Sequence, residues 1–265
     1  MRITLIQTDI AWENKTENLR RLREKLETLR GTTEIVVLPE TFSTGFSMDA
    51  ERMAEPADGE TITTLRRWAQ EYDVALTGSV MACEPGNPPT YHNRAFFLTP
   101  EGEAHFCDKR HLFRMGGEAE RLTPGKERCI ISYRGWRILP LVCYDLRFPV
   151  WSRNRRNDYD LLLYVANWPA GRRMVWDVLL QARALENQCY VCGVNRIGTD
   201  QFGYPHNGGS VIYSPKGKLL AHVADDTDGT ATASLDLGAL QVFRRRFPVW
   251  EDSDTFHLTE KGDNA

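Results

Sequence analysis

A cysteine between a strand and a helix is the first feature of this sequence that suggests chemistry. Cys143 follows the short apolar run 138–142, typical of a strand covered on both faces, and precedes Pro149, which suits a first helical turn. An α/β protein places a nucleophile at such a strand end. Free backbone N–H groups there can hold an oxyanion, and a helix N-terminus favours a thiolate. Because cysteines are just as often buried and inert, the partners of Cys143 must decide.

Three charged residues elsewhere in the chain are candidate partners. Glu40 ends the apolar strand 34–40, and in open α/β sheets such strand ends face one crevice. Lys109 directly follows a predicted hairpin, and Glu118 lies in the loop 115–120. Taken alone, each of these side chains is more often solvated than catalytic. Their combination with a cysteine is what suggests a catalytic site.

Strands and helices alternate along the chain, which predicts an α/β fold. Asn14 caps a first helix that ends at Gly31, and further helices are predicted at 58–72, from Pro149, at 172–187 and at 238–246. Tight turns at 99–102 and 214–217 join antiparallel neighbours, so the sheets are mixed. The predicted strands are 3–7, 34–40, 74–81, 94–98, 103–107, 138–142, 161–166, 189–194, 210–213, 218–223 and 231–235.

Length and composition favour one enzyme-sized domain. The 265 residues, 42% of them hydrophobic, contain no linker or repeat, so we expect a single domain over 1–265 with a tail from about 247. The apolar residues of that tail indicate that it docks on something. A net charge of −3 gives no reason to expect a nucleic acid or an anionic membrane as partner.

Signals for export, membrane insertion, metal or redox chemistry are weak. We see no signal peptide and no apolar run of about 18 residues, and six scattered cysteines suggest a reduced, cytoplasmic protein. The six histidines lack metal-ligand spacing, so we expect neither metal nor cofactor. Cys189 and Cys192 form a C-x-x-C, but positions i and i+3 of a strand face opposite ways. A Cys-His pair with His111 or His206 has no supporting signature.

Taken together, the motifs resemble the nitrilase superfamily of carbon–nitrogen hydrolases. The resemblance rests on Leu-Pro-Glu at 38–40, Asp-Lys-Arg-His-Leu-Phe at 108–113 and Cys-Tyr-Asp-Leu-Arg-Phe-Pro at 143–149. It extends through 122–125, 182–188 and 207–210, and so spans Met1 to about Trp250. Within the superfamily, the sequence is most similar to the omega-amidase branch, which hydrolyses the terminal amide of 2-oxoglutaramate and 2-oxosuccinamate.

The resemblance implies an α-β-β-α sandwich of two mixed sheets, a homodimer and a role for each motif residue. Cys143 would attack the amide and form a thioester, while Glu40 would act as general base. Lys109 and the backbone N–H of Tyr144 would stabilise the oxyanion, and Glu118 would orient Lys109 and the substrate. The products would be the dicarboxylate and ammonia.

A 2-oxo acid carries a carboxylate that needs a cationic partner, preferably an arginine. Two neighbouring arginines, Arg172 and Arg173, follow the loop 167–169, and one more lies beside the nucleophile. Each arginine taken alone is more often structural or solvated. We expect the substrate site to include Arg147, Phe148, Asn167, Trp168 and Arg173.

Other functions remain open from sequence alone. Another amidase of the superfamily, acting on deaminated glutathione or an N-carbamoyl compound, would share the same motifs, while nitrile hydrolysis is less expected. A catalytically silent binding protein has no reason to keep Glu40, Lys109 and Cys143 together. A thiol redox sensor would be oxidised at Cys143 without turning over any amide.

Overall fold

Strands and helices both contribute to the computed structural model, which describes residues 1–258. In chain order the strands are β1 (Arg2–Gln7), β2 (Ile35–Val37), β3 (Ala75–Glu84), β4 (Thr90–Leu98), β5 (Ala104–Asp108), β6 (Ile131–Tyr133), β7 (Trp136–Val142), β8 (Leu161–Ala166), β9 (Tyr190–Asn195), β10 (Ile197–Thr199), β11 (Pro205–Asn207), β12 (Val211–Tyr213), β13 (Leu219–His222) and β14 (Gly229–Ser234). The α-helices are α1 (Lys15–Leu29), α2 (Ala50–Met53), α3 (Glu60–Tyr72), α4 (Glu118–Arg121), α5 (Pro149–Ser152), α6 (Arg173–Asn187) and α7 (Leu237–Arg246).

Two six-stranded sheets are built from these strands. The first has the order β14-β1-β2-β3-β4-β5, with β2 parallel to both of its neighbours and the outer pairs antiparallel. The second has the order β13-β12-β9-β8-β7-β6, with β8 parallel to both of its neighbours. Both sheets are therefore mixed, as the turns predicted, and β10 and β11 form a separate hairpin.

Apolar side chains bury the two sheets against each other and against helices. Leu5 and Val37 of the first sheet share one core with Ile138 and Leu163 of the second, and all four are essentially inaccessible to solvent. On the outer face of the first sheet, α1 and α3 form a second core. The outer face of the second sheet is covered by α5 and α6 in a third core. The predicted α-β-β-α sandwich is confirmed.

Local sequence explains where the first helices begin and end. The Asn14 side chain accepts a hydrogen bond from Glu17 N at 3.1 Å, so the predicted N-cap of α1 is confirmed. Its residues Leu22 and Leu26, one turn apart, face the first sheet. At the other helix of this layer, α3, Asp73 ends the helix in a left-handed conformation with φ of 49°.

Several boundaries differ from prediction. The strand predicted at 34–40 is only β2, because Leu38 N still donates to Thr77 O but Pro39 has no N–H to continue the ladder. The chain therefore leaves the sheet just before Glu40. The short strand β6 and the hairpin β10–β11 were not predicted. The segment predicted as a loop at 115–120 contains two short helical turns, Arg114–Gly116 and α4.

The cysteines of the C-x-x-C lie on opposite faces of the second sheet, as predicted. Cys189 packs in the core beneath α6, and Cys192 packs in the core between the sheets. Within the described chain, no helix is long and apolar enough to cross a membrane.

The tail beyond α7 packs on the chain itself. Gln188 Nε2 donates to Phe247 O at 2.9 Å, and the Arg155 guanidinium lies 6.0 Å from the centre of the Phe256 ring. The prediction that the tail docks is met by these intramolecular contacts up to residue 258. Residues 259–265 lie outside the described part of the chain.

Candidate active site

A cavity of about 680 Å³ opens at the carboxyl ends of the parallel strands. Glu40 follows β2, Cys143 follows β7 and Asn167 follows β8, so both sheets contribute to it. Because parallel strands end at the same edge of a sheet, residues distant in sequence converge here. Lys109, Cys143 and Asn167 line the cavity, and Glu40 is buried directly behind them.

Glu40 is completely buried and saturated with hydrogen bonds. One carboxylate oxygen accepts from Lys109 Nζ at 2.9 Å and from Asn93 Nδ2 at 2.7 Å. The other accepts from Asn167 N at 2.8 Å. The next residue, Thr41, has φ of 43°, which turns the chain away from the sheet. These contacts fix one orientation for the carboxylate.

Lys109 joins two buried carboxylates. Its ammonium lies 2.9 Å from one oxygen of Glu40 and 2.9 and 2.8 Å from the two oxygens of Glu118. Its backbone carbonyl accepts from Gly125 N at 2.8 Å. A Cβ on Gly125 would lie 2.1 Å from the Asp108 carbonyl oxygen, so only glycine permits this close approach.

Cys143 is the first residue of a 3-10 turn, Cys143–Arg147, and has φ of 46°, a strained value for a side-chain-bearing residue. Its thiol lies close enough to the Glu40 carboxylate for each group to shift the pKa of the other. Asp145 Oδ2 accepts from Val142 N at 3.1 Å and so holds the start of the turn. The nucleophile candidate and the base candidate are thus electrostatic neighbours.

The electrostatics separate the two glutamates. Burial raises the pKa of Glu40, but Lys109 and the hydrogen bonds more than offset this, and the net pKa lies below its ordinary value. Burial and the neighbouring charge of Glu40 raise the pKa of Glu118 above its ordinary value, against the opposing effect of Lys109. Of the two glutamates, Glu40 is therefore the one whose surroundings favour the ionised form.

The pKa of Cys143 is raised well above the ordinary value of a thiol. Burial is the main cause, and the charge of Glu40 adds to it, while Lys109 opposes it. Lys109 favours the thiolate, but burial and the charge of Glu40 outweigh it, so the resting thiol is protonated. A neutral thiol beside an ionised carboxylate needs a general base at the moment of attack.

Asn93 is a site residue that the sequence analysis missed. Its Nδ2 donates to Glu40 at 2.7 Å and to Glu118 at 3.1 Å, and its Oδ1 accepts from Ser79 Oγ at 2.9 Å. It lies on β4, whose register places it beside the two carboxylates. The available signal was a polar residue just before the apolar end of a strand, which is too common to single out.

A second network ties the lysine segment to the nucleophile turn. Asp145 Oδ1 accepts from His111 N at 2.9 Å and from His111 Nδ1 at 2.8 Å. The His111 ring stacks on Phe148, with centres 3.7 Å apart. Among the described residues that line the cavity Phe148 is absent, so the prediction that it contacts substrate is corrected. The ring packs on His111 instead.

The predicted substrate-binding residues divide into three groups. Arg147 and Trp168 line the cavity, and so does Tyr144, which was predicted for the oxyanion site. Asn167 also lines it, but its side chain donates to the Glu40 carbonyl oxygen at 2.8 Å, so it positions the base. The other two predicted residues, Phe148 and Arg173, are not among the described residues that line the cavity.

Arg173 is a predicted substrate-binding residue that lies away from the cavity. Its guanidinium pairs with Asp177 at 2.7 Å and with Asp225 at 3.0 Å, and it does not belong to the described lining of the cavity. The expectation that Arg173 binds substrate is therefore corrected, since helix α6 turns its side chain away. Its neighbour Arg172 does line the cavity.

The hairpin β10–β11 contributes lining residues that were not predicted. Arg196 is buried and pairs with Asp9 at 2.7 Å, and Asp200 Oδ1 accepts from two backbone N–H groups of its own turn. Burial lowers the pKa of His206 to about 4, so this imidazole is neutral. The partners of the cysteine are a carboxylate and a lysine, so a Cys-His pair does not describe this site.

Comparison with solved structures places the fold and the cysteine in a known group. A CN-hydrolase superfamily protein of Xanthomonas campestris, with an arsenic adduct in its active site, superposes with a TM-score of 0.93 at 40% identity and covers 98% of this chain and 99% of its own. An amidase mutant from Nesterenkonia has a TM-score of 0.79 at 25% identity, covering 94% of this chain and 98% of its own. In that protein acrylamide has added to the active-site cysteine.

Sequence comparison gives the same group. An omega-amidase of Yersinia enterocolitica is 46% identical over 97% of this chain and 98% of its own length, and one of Escherichia coli K12 is 45% identical with the same coverage. A 2-oxoglutaramate amidase of Bacillus subtilis is 29% identical over 94% of this chain and 96% of its own length. The carbon-nitrogen hydrolase model matches residues 2–245. This chain belongs to the carbon-nitrogen hydrolase family.

Proposed function

We propose that this protein is an omega-amidase, which hydrolyses the terminal amide of 2-oxoglutaramate and 2-oxosuccinamate through a thioester on Cys143. The observation that carries the proposal is the buried cluster of Glu40, Lys109 and Glu118 beside the Cys143 thiol, whose pKa all three side chains affect. Omega-amidases at 45–46% identity support the choice of substrate.

In the first step, Cys143 attacks the amide carbon while Glu40 accepts the thiol proton. The raised pKa of the thiol makes this transfer necessary, and the lowered pKa of Glu40 keeps the base ionised in the resting enzyme. The two groups are close enough to shift each other's pKa, so the proton has a short path between them. The thiol therefore becomes nucleophilic only as it reacts.

The tetrahedral oxyanion is stabilised by Lys109 and by the backbone N–H of Tyr144. The first N–H groups of a helical turn have no acceptor within it, which leaves that of Tyr144 available. Lys109 is held by Glu40 in the resting state. Once Glu40 carries a proton, its attraction for the ammonium falls, and Lys109 is free to donate to the oxyanion. Each such donor is worth roughly 3–4 kcal/mol in the transition state.

Collapse of the intermediate expels ammonia, to which Glu40 returns the proton. Glu40 then takes a proton from the water that hydrolyses the thioester, which releases the dicarboxylate and restores the thiol. Glu118 keeps Lys109 in place throughout, because both of its oxygens contact the ammonium. Every step uses side chains of this chain alone, so the scheme calls on no metal or cofactor.

The cellular setting and assembly are further parts of the proposal. We expect a cytoplasmic enzyme that forms a homodimer, as the sequence and its family resemblance suggest. An exposed apolar face on α6, formed by Met174, Val178 and Leu185 at helical spacing, supports pairing of two copies. We expect wild type to sediment as a dimer and Val178→Asp to sediment as a monomer. A monomeric wild type at micromolar concentration would contradict it.

A second candidate activity is hydrolysis of a larger amide such as deaminated glutathione. The cavity of about 680 Å³ offers more room than a small dicarboxylate monoamide fills, which is the observation that favours this alternative. The catalytic steps would be the same. Only the substrate would differ.

The proposal is tested by ammonia release from purified protein. The substrates are 2-oxoglutaramate and 2-oxosuccinamate, beside deaminated glutathione, glutamine, an N-carbamoyl amine and a nitrile, with Cys143→Ala as control. We expect rapid release from the two oxo-acid amides and none from Cys143→Ala. Release mainly from deaminated glutathione would keep the mechanism and reject the substrate assignment. A folded protein that releases ammonia from none of these compounds would contradict the proposal that the protein is an amidase.

A further inference from the structure

Two cationic side chains in the cavity have no carboxylate partner in the described chain. The charged lining residues include Lys109, bound between two glutamates, and Arg196, paired with Asp9. For the guanidinium groups of Arg147 and Arg172, by contrast, residues 1–258 provide neither an ion pair nor a hydrogen bond. A charged group left unpaired at the wall of a cavity is available to a ligand.

Aromatic rings hold both guanidinium groups in the cavity. Arg147 lies 5.5 Å from the centre of the Trp168 ring, and Arg172 lies 5.3 Å from that of Phe113. Contact with the face of an aromatic ring restrains a guanidinium without using its N–H donors. The full set of donors of each arginine therefore stays free to bind an anion.

The two rings are themselves anchored to the catalytic elements. Trp168 Nε1 donates to the backbone oxygen of Arg172 at 2.8 Å, so one indole supports both arginines. Phe113 N donates to Glu118 at 2.6 Å, and its ring packs on Tyr144 at 5.1 Å. The arginines are thus fixed relative to the nucleophile and to the glutamate cluster.

We infer that Arg147 and Arg172 form the carboxylate-binding end of the active site and select amides that carry a 2-oxo acid group. This inference rests on the proposed function, because it assigns the substrate's distal end to the same cavity. A carboxylate with an adjacent keto oxygen presents acceptors only, which matches planar guanidinium forks. The α-ammonium group of glutamine would instead face two positive charges, which selects against 2-amino acid amides.

Arg172 is the better residue to test. Arg147 belongs to the turn that carries Cys143, so a change there would also act through the nucleophile. Arg173 supplies a matched control, since it is the next residue, has the same side chain and is already paired with Asp177 and Asp225. The comparison of Arg172→Gln with Arg173→Gln therefore isolates the unpaired guanidinium.

Two readouts are measured for wild type and both variants. The first is ammonia release from 2-oxoglutaramate and from butyramide, a neutral amide without a carboxylate. The second is calorimetric binding of 2-oxoglutarate, which needs no turnover. For Arg172→Gln we expect KM for 2-oxoglutaramate and Kd for 2-oxoglutarate to rise about 10- to 100-fold, as for loss of a charge-assisted hydrogen bond. Its kcat and its action on butyramide should stay within about threefold, and Arg173→Gln should match wild type.

The outcomes separate this inference from the proposed function. If Arg172→Gln binds 2-oxoglutarate as tightly as Arg173→Gln, or if wild type does not bind it at all, the arginine assignment is overturned, whatever the amidase activity. If wild type releases no ammonia yet binds 2-oxoglutarate in a manner that depends on Arg172, the proposed function fails and the anion site stands.

Discussion

Asn93 offers a sharp test of the electrostatic account, because one amide group supports both glutamates. Its Nδ2 donates to Glu40 at 2.7 Å and to Glu118 at 3.1 Å in a site closed to solvent. Replacement Asn93→Ala removes this donor from both carboxyls while leaving the Lys109 contacts in place. A donor stabilises the ionised form of a carboxyl, so its loss raises the pKa of each group.

The magnitude follows from the strength of a hydrogen bond to a charged group. Such a bond is worth about 1.5–3 kcal/mol, and a change of one pKa unit corresponds to about 1.4 kcal/mol. We therefore expect the carboxyl that serves as base to titrate about one to two pH units higher in Asn93→Ala. The acid limb of kcat/KM should move to higher pH by that amount, with activity largely retained on its alkaline side.

The assay is the pH dependence of kcat/KM for 2-oxoglutaramate in wild type and variant. Asn154→Ala is the matched control, because Asn154 is also buried and hydrogen-bonded, but to the backbone of Tyr159 and Asn187, away from the glutamates. It should lose stability without moving the limb. An acid limb at the same pH in both variants would refute the reasoning, since Glu40 would then not be the group that must lose a proton.

Three further perturbations test other parts of the site. Lys109→Met leaves two buried carboxyls without their shared cation, so we expect loss of activity and about 3–5 kcal/mol less stability in urea unfolding. Asp145→Asn offers one acceptor oxygen to donors on Val142 and His111. We expect kcat to fall about 10- to 100-fold with KM little changed, and Cys143 alkylation to slow. His206 has its pKa depressed from 6.5 to about 4, so it contributes stability above pH 6.5 that is lost as pH falls towards 4, about 3 kcal/mol in all. His206→Gln should flatten urea unfolding stability over that range.

Each of these has a contrary result. A stable Lys109→Met protein would mean that the carboxyls are protonated together. An unchanged alkylation rate in Asp145→Asn would remove Asp145 as a positioning residue. Equal pH dependence of stability in wild type and His206→Gln would show that the imidazole is not neutral when buried.

Much of the buried cluster could be predicted from the positions at which an apolar strand ends and polar residues begin. Glu40 and Cys143 end apolar strands, and strand ends of parallel sheets converge, so their proximity follows from the fold. Lys109 and Glu118 were identified only through the family motifs, because a lysine after a hairpin is usually a solvated surface residue. The structure brings all four together.

The site residues that the sequence did not reveal depend on the register of strand pairing and on the rotation of a helix about its axis. Asn93 joins the site only because the pairing of β4 with β5 places it beside Lys109, whose N–H donates to the Asn93 carbonyl oxygen. Arg172 and Arg173 are neighbours, yet the start of α6 sends one into the cavity and the other to Asp177. A shift of the helix start by one residue would change which of the two arginines faces the cavity. A sequence does not predict a helix boundary to within one residue.

The raised pKa of Cys143 could not be predicted from the sequence for a different reason. Lys109 and a helix N-terminus are the groups that the sequence suggests near the thiol, and both favour the thiolate. Complete burial and the Glu40 charge outweigh them, and neither the depth of burial nor the distance between charges is written in the sequence. The predicted helix at Pro149 is only the four-residue α5, and the 3-10 turn Cys143–Arg147 separates its start from the thiol.

The most direct test of the central claim is to trap the acyl-enzyme. Purified protein is mixed with 2-oxoglutaramate, quenched in acid within the first turnover and analysed by mass spectrometry after digestion. The account predicts that the peptide containing Cys143 gains one 2-oxoglutaryl group as ammonia is released, and that Cys143→Ala gains none. Ammonia release by wild type with an unmodified Cys143 peptide, undiminished in Cys143→Ala, would contradict the thioester mechanism.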